Sequence, residues 1–297
     1  MCNTLFPNLS PLPSEILYVI GNGFDIAHDI RSQYGDFKRW VMERGNQQLI
    51  RMMDIFFSNE HDLWSDIETA LGEYREDEIL DFCKPTEGID YDHPMRSIAA
   101  IEDGPNWIFK PILDEFLKSF TAWVNSIDIL HAKQLSKIYQ LEEQSKFLTF
   151  NYTETLEEVY NIPNNNVLHI HGSRTEAKNG YIMGHNKIKP NDLHDTLNGE
   201  FYFEQDTKNK IIGWMNQLYK DTSSIIRHNE QFFHSLKGIT HISVIGHSLN
   251  KVDWPYFDAI KNNVQMNTTW IFNPYSSEDK KRIEAYIDYS GIKQYKI

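Results

Sequence analysis

The stretch Ile16-Leu-Tyr-Val-Ile-Gly-Asn-Gly-Phe-Asp25 decides the fold that this sequence predicts. Its first five residues form an apolar run rich in β-branched side chains, which is typical of a buried strand in a parallel sheet. Gly21 and Gly23 follow at once, and they allow a tight turn and a close approach of the backbone to a ligand. Residues 26–30 can open a helix whose free N–H groups point back at the turn. The stretch therefore predicts a β–turn–α unit that binds a nucleotide.

Four later segments have the same character, since each is short, apolar and followed by small or polar residues. The segments are 146–150, 166–170, 240–245 and 268–272, and they are followed by Asn151, His171, Gly246 and Asn273. Helical stretches separate several of these segments, at 154–160, at about 223–236 and at 277–287, and Ser276 or Ser277 is the expected N-cap of the last. Because the carboxyl ends of parallel strands form the ligand-binding edge of doubly wound sheets, these residues are expected to converge on one crevice. The predicted fold class is α/β, with a Rossmann-like parallel sheet.

The stretch between the first unit and the second strand has a helical pattern instead. Apolar residues recur at every fourth position from Ile108 to Val124, which predicts a long amphipathic helix. Residues 49–57 and 61–74 also have a helical pattern, whereas 84–106, with its prolines and acidic residues, predicts a loop. The expected domains are a nucleotide-binding domain of residues 1–35 and 141–297 and a mostly helical insertion of residues 36–140.

Composition excludes several classes of function. The chain has 297 residues, and its 42 acidic and 29 basic side chains give a net charge of −13, which does not suit a protein that grips a phosphate backbone. Nucleic acid is therefore not expected as the main ligand.

No stretch approaches the roughly 20 apolar residues of a membrane helix, so no membrane partner is expected. Residues 1–14 lack the basic start and apolar core of a signal peptide, and the two cysteines have no metal or redox spacing. These features predict a cytoplasmic protein.

The sequence His169-Ile-His171-Gly places two histidines on one side of a strand end. A metal site would need further ligands, and the other candidates have no recognisable spacing. Those candidates are His185, Asp192 and His194. No metal is therefore expected. A histidine beside a glycine at a strand end is better suited to act as a general base with a pKa near neutrality. This interpretation assigns a catalytic role to His171 and a hydrogen-bonded core position to His169.

Three other motifs each have a structural interpretation as well as a functional one. The first turn lacks the third glycine of the dinucleotide fingerprint, so a plain strand–helix connection remains an alternative. Asp25 in that turn could cap a helix, or could bind a ribose hydroxyl or a substrate amide. Thr153 could be the N-cap of the helix after Asn151. Gly246-His-Ser248 resembles a nucleophile elbow, but no histidine follows position 247 to complete a serine-hydrolase triad.

Taken in order, these motifs resemble the AbiH family of bacteriophage abortive-infection proteins. The matching pieces span most of the chain: Val19–Asp25, Tyr34-x-x-Phe37, Trp64-x-Asp66-Ile-Glu68, Phe150–Glu157, His169–Gly172 and Gly246–Asp253. The chain is also distantly similar to sirtuin-like NAD-binding domains. That second resemblance implies that Asn151 positions the nicotinamide ribose and that His171 is the catalytic base. It further implies that Gly21, Gly23, Gly246, Ser248 and Asn273 bind the cofactor. The predicted cofactor-binding set also includes their neighbours in the same motifs, namely Asn22, Phe24, Asp25, His247 and Asp253.

The resemblance implies NAD as the ligand or substrate. Two cysteines cannot form the four-cysteine zinc site of the deacylases, which leaves cleavage of the nicotinamide glycosidic bond as the expected chemistry. An enzyme that cleaves the NAD of its own cell must be restrained, which implies a homo-oligomer or a regulatory protein partner. Three alternatives stay open: a non-catalytic nucleotide-sensing module, a nuclease-type hydrolase that uses Glu68 and nearby acids, and a scaffold that acts through the helical insertion.

Overall fold

The computed structural model describes residues 15–57, 63–84, 90, 92–132, 138–175, 180–190, 202–274 and 276–297. The chain divides into two compact units, which are described separately below. The sheet unit contains Met1–Ile30, Ile129–Ile170 and Ser223–Ile297, and the helical unit contains Arg31–Asp128 and His171–Thr222. The sequence-based division has residues 171–222 in the nucleotide-binding domain, whereas this division by packing includes them in the helical unit.

The sheet unit is built on one six-stranded parallel sheet. Its strands are β1 (Ile16–Ile20), β2 (Lys146–Thr149), β3 (Val167–His169), β4 (His241–Ile245), β5 (Thr269–Asn273) and β6 (Tyr295–Lys296). Their order in the sheet is β3-β2-β1-β4-β5-β6, with all neighbours parallel. This is the strand order of the Rossmann fold, whose order reverses between β1 and β4. The predicted Rossmann-like α/β fold is therefore confirmed.

Apolar residues on one face of the sheet form the core of this unit. Val19 of β1 pairs in register with Leu148 of β2 and Val244 of β4, and all three side chains are buried. Phe257 and Tyr286, from helices that follow β4 and β5, belong to the same buried cluster. A strand flanked on both sides and covered by helices must be apolar along its length, which explains the continuous run at residues 16–20.

The helices of the sheet unit are short except near the end of the chain. They are α1 (Asn22–Ala27), α8 (Thr155–Tyr160), α10 (Thr222–His228, whose first residue belongs to the helical unit), α11 (Glu230–His234), α12 (Trp254–Asn263) and α13 (Ser277–Ser290). Helix α13 begins at a capping box between Ser276 and Asp279 and ends at Gly291, whose φ is +69°. The predicted N-cap at Ser276 or Ser277 is thus confirmed at Ser276. The stretch predicted as one helix from Ser223 to Leu236 forms α10 and α11.

The helical unit contains the longest helix, which the sequence predicts. Its helices are α2 (Tyr34–Glu43), α3 (Gln47–Phe57), α4 (Ile67–Gly72), α5 (Glu76–Cys83), α6 (Pro94–Trp107), α7 (Phe109–Ser126) and α9 (Tyr202–Asn216). Phe37 of α2 packs its ring against Phe116, Phe120 and Trp123 of α7, at centroid distances of 5.3–5.7 Å. The apolar stripe of α7 therefore lies in a core, as its periodicity predicts. No helix in the described part of the chain is long and apolar enough to cross a membrane.

Two predictions for this unit differ from the structure. The predicted loop at 84–106 is wrong for α6, because Pro94 lies in the first turn, where its missing N–H costs nothing. Packing then holds this weak helix former in place, since Ile101 is buried and a Cβ at Gly104 would lie 2.4 Å from the carbonyl oxygen of Cys83. The predicted helix at 61–74 is shorter, because Asp66 caps α4 by accepting from the Thr69 N–H at 3.1 Å. Residues 61 and 62 lie outside the described residues.

A buried ion pair joins α4 to the last segment of the helical unit. The Lys220 ammonium lies 2.6 Å from Glu68 Oε1, with the lysine side chain fully buried and the glutamate 11% exposed. The main-chain N–H of Gly184 also donates to this carboxylate oxygen at 3.4 Å. Breaking such a pair is costly because one charge then stays buried without its counter-charge. The pair therefore fastens the loops at 184 and 220 to α4.

Lys220→Met should lower the free energy of unfolding by about 3–5 kcal/mol, because it removes the cation beside a buried carboxylate. The matched control is Lys187→Met, since Lys187 forms a 2.7 Å ion pair with Glu73 that is largely exposed. The free energy of unfolding of that variant should fall by less than about 1 kcal/mol. Urea unfolding of both variants measures the difference, and equal losses would show that the buried pair does not stabilise the unit.

Candidate functional site

Two loops meet at the point where the strand order reverses. The loop after β1 and the loop after β4 are joined by main-chain hydrogen bonds: the Gly21 N–H donates to the Ile245 carbonyl at 2.9 Å, and the Gly23 N–H donates to the Gly246 carbonyl at 2.8 Å. This edge of the sheet is where Rossmann-like folds bind their ligands. The first predicted glycine turn and the later Gly246 turn therefore lie together.

The glycines of these loops permit a backbone approach that no other residue would allow. A Cβ at Gly21 would lie 2.5 Å from the Cα of His247, and a Cβ at Gly23 would lie 2.7 Å from the Cα of Gly246. Gly246 itself has a φ of +67°, and its Cβ would lie 2.3 Å from the main-chain nitrogen of Phe24. The three glycines thus serve loop-to-loop packing, and the N–H groups of Gly21 and Gly23 are already used within the fold.

Asp25 faces the segment that follows β2. Its carboxylate is buried and accepts hydrogen bonds from two hydroxyl groups, Thr153 Oγ1 at 2.5 Å and Thr155 Oγ1 at 2.8 Å. The prediction of Thr153 as a helix N-cap is wrong, because the N-cap of α8 is Glu154 and the Thr153 hydroxyl donates to Asp25 instead. Asp25 therefore joins α1 to the start of α8, and its contact with a ligand stays a prediction.

A second buried contact joins the other ends of α1 and α8. The His28 ring lies 2.7 Å from the Phe24 carbonyl through Nδ1 and 2.8 Å from the Tyr160 hydroxyl through Nε2. That hydroxyl accepts the N–H groups of Ile138 and Tyr139, so its own proton goes to His28 Nε2. Burial lowers the pKa of His28, against the opposing effect of its bond to the Phe24 carbonyl. His28 is therefore a neutral link between the two helices.

Asn151 follows β2 and is held by both of its main-chain polar groups. Its N–H donates to Thr149 Oγ1 at 3.1 Å, and its carbonyl accepts from His169 Nδ1 at 2.9 Å. The side chain is also buried, yet its Oδ1 has no hydrogen-bond partner among the described residues. Buried polar atoms in folded proteins nearly always have partners, so an exception needs an explanation. A bound ligand that donates a hydrogen bond to Oδ1 provides one.

His169 occupies the hydrogen-bonded core position that the sequence predicts for it. Besides its bond to Asn151, its Nε2 lies 2.8 Å from Glu157 Oε1 on α8. The two side chains are only 7% and 12% exposed. Burial lowers the pKa of His169, but the hydrogen bond and negative charge of Glu157 outweigh it, and the pKa is raised above 6.5.

The remaining cofactor-binding residues predicted in this unit differ in exposure. His247 is buried, accepts the Leu249 N–H at Nδ1, and lies 3.5 Å from Asp253 Oδ2 through Nε2. Its ring packs on Phe150 at a centroid distance of 4.3 Å. Phe24 is also fully buried, whereas Asn22 and Asn273 are exposed and Ser248 is half-buried. Asp253 is buried as well. Of these six predicted residues, only Asn22, Ser248 and Asn273 have side chains open to a ligand from solvent.

The second predicted catalytic residue, His171, is the first residue of a segment that belongs to the helical unit. Its side chain is buried, and its carbonyl accepts the Ile182 N–H at 2.9 Å. Gly172 follows with a φ of +85°, a conformation that favours glycine. Within the described residues, no three His, Cys, Asp or Glu side chains are arranged to hold a metal ion. Asp192 and His194 lie outside the described residues.

Sequence reasoning missed the residues that hold Asn151 in place. Thr149 accepts the Asn151 N–H, and Glu157 bonds the histidine that holds the Asn151 carbonyl. Thr155 bonds Asp25 beside them, and the sequence assigns none of the three a role. One signal was available, because hydroxyl and carboxyl side chains at 153, 155 and 157 flank a predicted strand end. Their partners could not be read from spacing, since Asp25 lies 130 positions before Thr155.

The strand order and the glycine loops define a Rossmann-like α/β protein with a polar, buried segment after its second strand. The family model "Bacteriophage abortive infection AbiH" matches residues 17–274. Because that match covers more than half of the sequence, the chain belongs to the AbiH family. A search of curated proteins and a search of solved structures each found no significant match. The family places the protein in phage abortive infection.

Gly246→Ala should destabilise the sheet unit by about 3 kcal/mol or more, because the new Cβ would both strain a positive φ and collide with main-chain atoms. Gly238→Ala is the matched control, since a Cβ there meets nothing within 4 Å. That change should stay within about 1 kcal/mol. Thermal and denaturant unfolding measure both variants. A Gly246 variant as stable as the control would contradict the interlocked arrangement of the loops.

Thr155→Val should lower the free energy of unfolding by about 1–3 kcal/mol, because it deletes a hydroxyl that donates to the buried Asp25 carboxylate. Thr121→Val is a suitable control, since Thr121 is exposed and its hydroxyl donates to the Leu117 carbonyl one turn earlier in α7. Denaturant unfolding of both variants gives the comparison. If both changes had the same small effect, the Asp25–Thr155 bond would not stabilise the fold.

Proposed function

We propose that this protein acts in phage abortive infection by binding NAD at the carboxyl ends of β1, β2 and β4 and by hydrolysing its nicotinamide glycosidic bond. The buried Oδ1 of Asn151, which lacks a hydrogen-bond partner in the described part of the chain, is the observation that carries the proposal. A ribose hydroxyl of NAD is a donor of the right kind for this oxygen.

The strand order supports a nucleotide as the ligand. In a sheet of order 3-2-1-4-5-6 the crevice lies beyond the carboxyl ends of β1 and β4, and Asn151 follows the strand beside β1. Because the N–H groups of Gly21 and Gly23 donate within the fold, the phosphates must be bound by other groups. The exposed Asn22 and the half-buried Ser248 are the candidates in the same two loops.

The proposed reaction adds water across one bond. The bond between ribose C1′ and the nicotinamide nitrogen breaks, the electron pair leaves with nicotinamide, and a water oxygen bonds to C1′ while its proton is released. Asn151 would orient the ribose and the water, and a fixed dipole costs no reorganisation as positive charge develops on the sugar. The sirtuin-like resemblance assigns to His171 the acceptance of that proton or the anchoring of a ribose hydroxyl. This chemistry rests on the sirtuin-like resemblance of the motifs.

The same proposal extends to the cellular setting. Hydrolysis of NAD after infection would deplete the host's pool, so we place the activity in the cytoplasm and under control of a homo-oligomer or a regulatory partner. A chain that binds NAD without cleaving it would instead be a nucleotide sensor. The two functions share the same binding site and differ only in turnover.

Asn151→Ala should reduce nicotinamide release from NAD by about 100-fold or more, as expected for the loss of a group that stabilises the transition state. His171→Ala should reduce nicotinamide release by a similar factor if the histidine is the base. Asn165→Ala is the matched control, because Asn165 is exposed in the turn before β3. Chromatography of nicotinamide released by purified protein, with and without extract from phage-infected cells, measures the activity.

The outcomes of this experiment separate the functions. Release by the wild type that survives in the control but not in Asn151→Ala supports hydrolysis. NAD binding by calorimetry without release would favour the sensor. If the wild type neither binds nor cleaves NAD under either condition, the proposal of an NAD site is wrong.

A further inference from the structure

His169 has a hydrogen-bond acceptor at each of its two ring nitrogens. Nδ1 lies 2.9 Å from the main-chain carbonyl of Asn151, which can only accept. Nε2 lies 2.8 Å from a carboxylate oxygen of Glu157. A neutral imidazole carries one N–H, whereas an imidazolium carries two and can donate to both partners. The arrangement therefore fits a charged histidine beside a charged glutamate.

The surroundings of Glu157 support the same distribution of charge. Its second oxygen, Oε2, is buried and has no hydrogen-bond partner among the described residues. Among the described residues, the carboxyl group therefore receives its hydrogen bond from His169, which favours a donor at Nε2. Glu154, in the turn before α8, adds a second negative charge that favours a cation at His169.

We propose that His169 is a positioning residue for Asn151, which it holds by the main-chain carbonyl as an imidazolium balanced by Glu157. The inference rests on the proposed function, because it concerns how the side chain of Asn151 is presented to the ligand. The Asn151 N–H is fixed by Thr149 and its carbonyl by His169, which leaves only the side-chain amide to interact with a ligand. The two histidines of the motif thus have separate tasks.

The sign of the pH dependence follows from the geometry. Because Glu157 raises the pKa of His169 above 6.5, the pair contributes its full stabilisation below pH 6.5 and loses it as pH rises through the folded-state pKa. Above that pKa a single remaining N–H cannot serve both acceptors. Either the Asn151 carbonyl or the Glu157 carboxylate then faces a ring lone pair, and in either case the repulsion moves the ring that holds the Asn151 carbonyl.

Glu157→Gln separates charge from shape. The new amide is of the same size, and it can donate its NH₂ to a neutral Nε2 or turn to offer its oxygen to a protonated one. In either state Nδ1–H keeps its bond to the Asn151 carbonyl. The variant should therefore have a lower pKa at His169, and its Asn151 carbonyl should no longer respond to pH. Glu158→Gln is the matched control, since Glu158 is the exposed neighbour on the same helix.

The first experiment needs no substrate. In the full chain labelled with ¹⁵N and ¹³C, NMR reports the protonation of both His169 ring nitrogens and the carbonyl shift of Asn151 between about pH 6 and pH 9.5. Both nitrogens should carry protons near neutral pH, and the Asn151 carbonyl should titrate together with the ring. An unprotonated Nε2 at neutral pH, or an Asn151 carbonyl that ignores the titration, would overturn the inference.

The second experiment measures nicotinamide release over the same range. The rate of nicotinamide release by wild type and by Glu158→Gln should fall tenfold or more on the alkaline side. The fall should approach the ~100-fold that a 1 Å misplacement can cost. Glu157→Gln should show no such alkaline loss. The same alkaline loss in Glu157→Gln as in the wild type would contradict a positioning role. If the wild type releases no nicotinamide at any pH, the proposed function fails, and the NMR titration alone decides the role of His169.

Discussion

The close contact of the β1 and β4 loops is the constraint on which the rest of the sheet unit depends. Glycine-on-glycine packing at Gly21, Gly23 and Gly246 fixes where α1 begins, because the chain turns directly from β1 into that helix. Helix α1 then presents Asp25 and His28 to the two ends of the segment that leads from Asn151 through α8. A side chain at any of the three glycines would move α1, and with it every buried contact that α1 makes.

Those contacts explain why so many polar side chains are buried beside an apolar core. A buried carboxylate or imidazole is tolerated only when its hydrogen bonds are made. Asp25 has two hydroxyl donors, and His28 has a carbonyl and a hydroxyl. Asn151 lies among these satisfied groups with an amide oxygen that none of the described residues contacts. The network therefore holds Asn151 in place while its amide oxygen stays open to a ligand, which is the condition for a preorganised site.

Sequence reasoning predicted the sheet better than the site because the two depend on different distances along the chain. The run at 16–20 and the four later strands have a local apolar signal, and the strands in the structure match those segments to within a residue at most ends. The sequence does not predict helix α6, because Gly104 and Pro105 inside it oppose local helix formation, and packing around Gly104 and Ile101 secures it. The roles of Thr153 and His169 depend on partners that no periodicity reveals, such as Asp25, which is 128 residues from Thr153.

The structure also changes the meaning of the motifs that mark the family resemblance. Asp25 of the first motif bonds Thr153 of the Phe150–Glu157 motif, Glu157 of that motif bonds His169 of the next, and Gly246 of the last contacts the first loop. Each of these motif residues therefore binds another motif within one unit. It follows that a residue in such a motif is not by itself evidence of contact with a ligand. Within the sheet unit, ligand contact has independent support at Asn151, because its main chain is held on both sides while its buried Oδ1 is left open. Glu157 Oε2 is also without a partner among the described residues, but its carboxylate already pairs with His169.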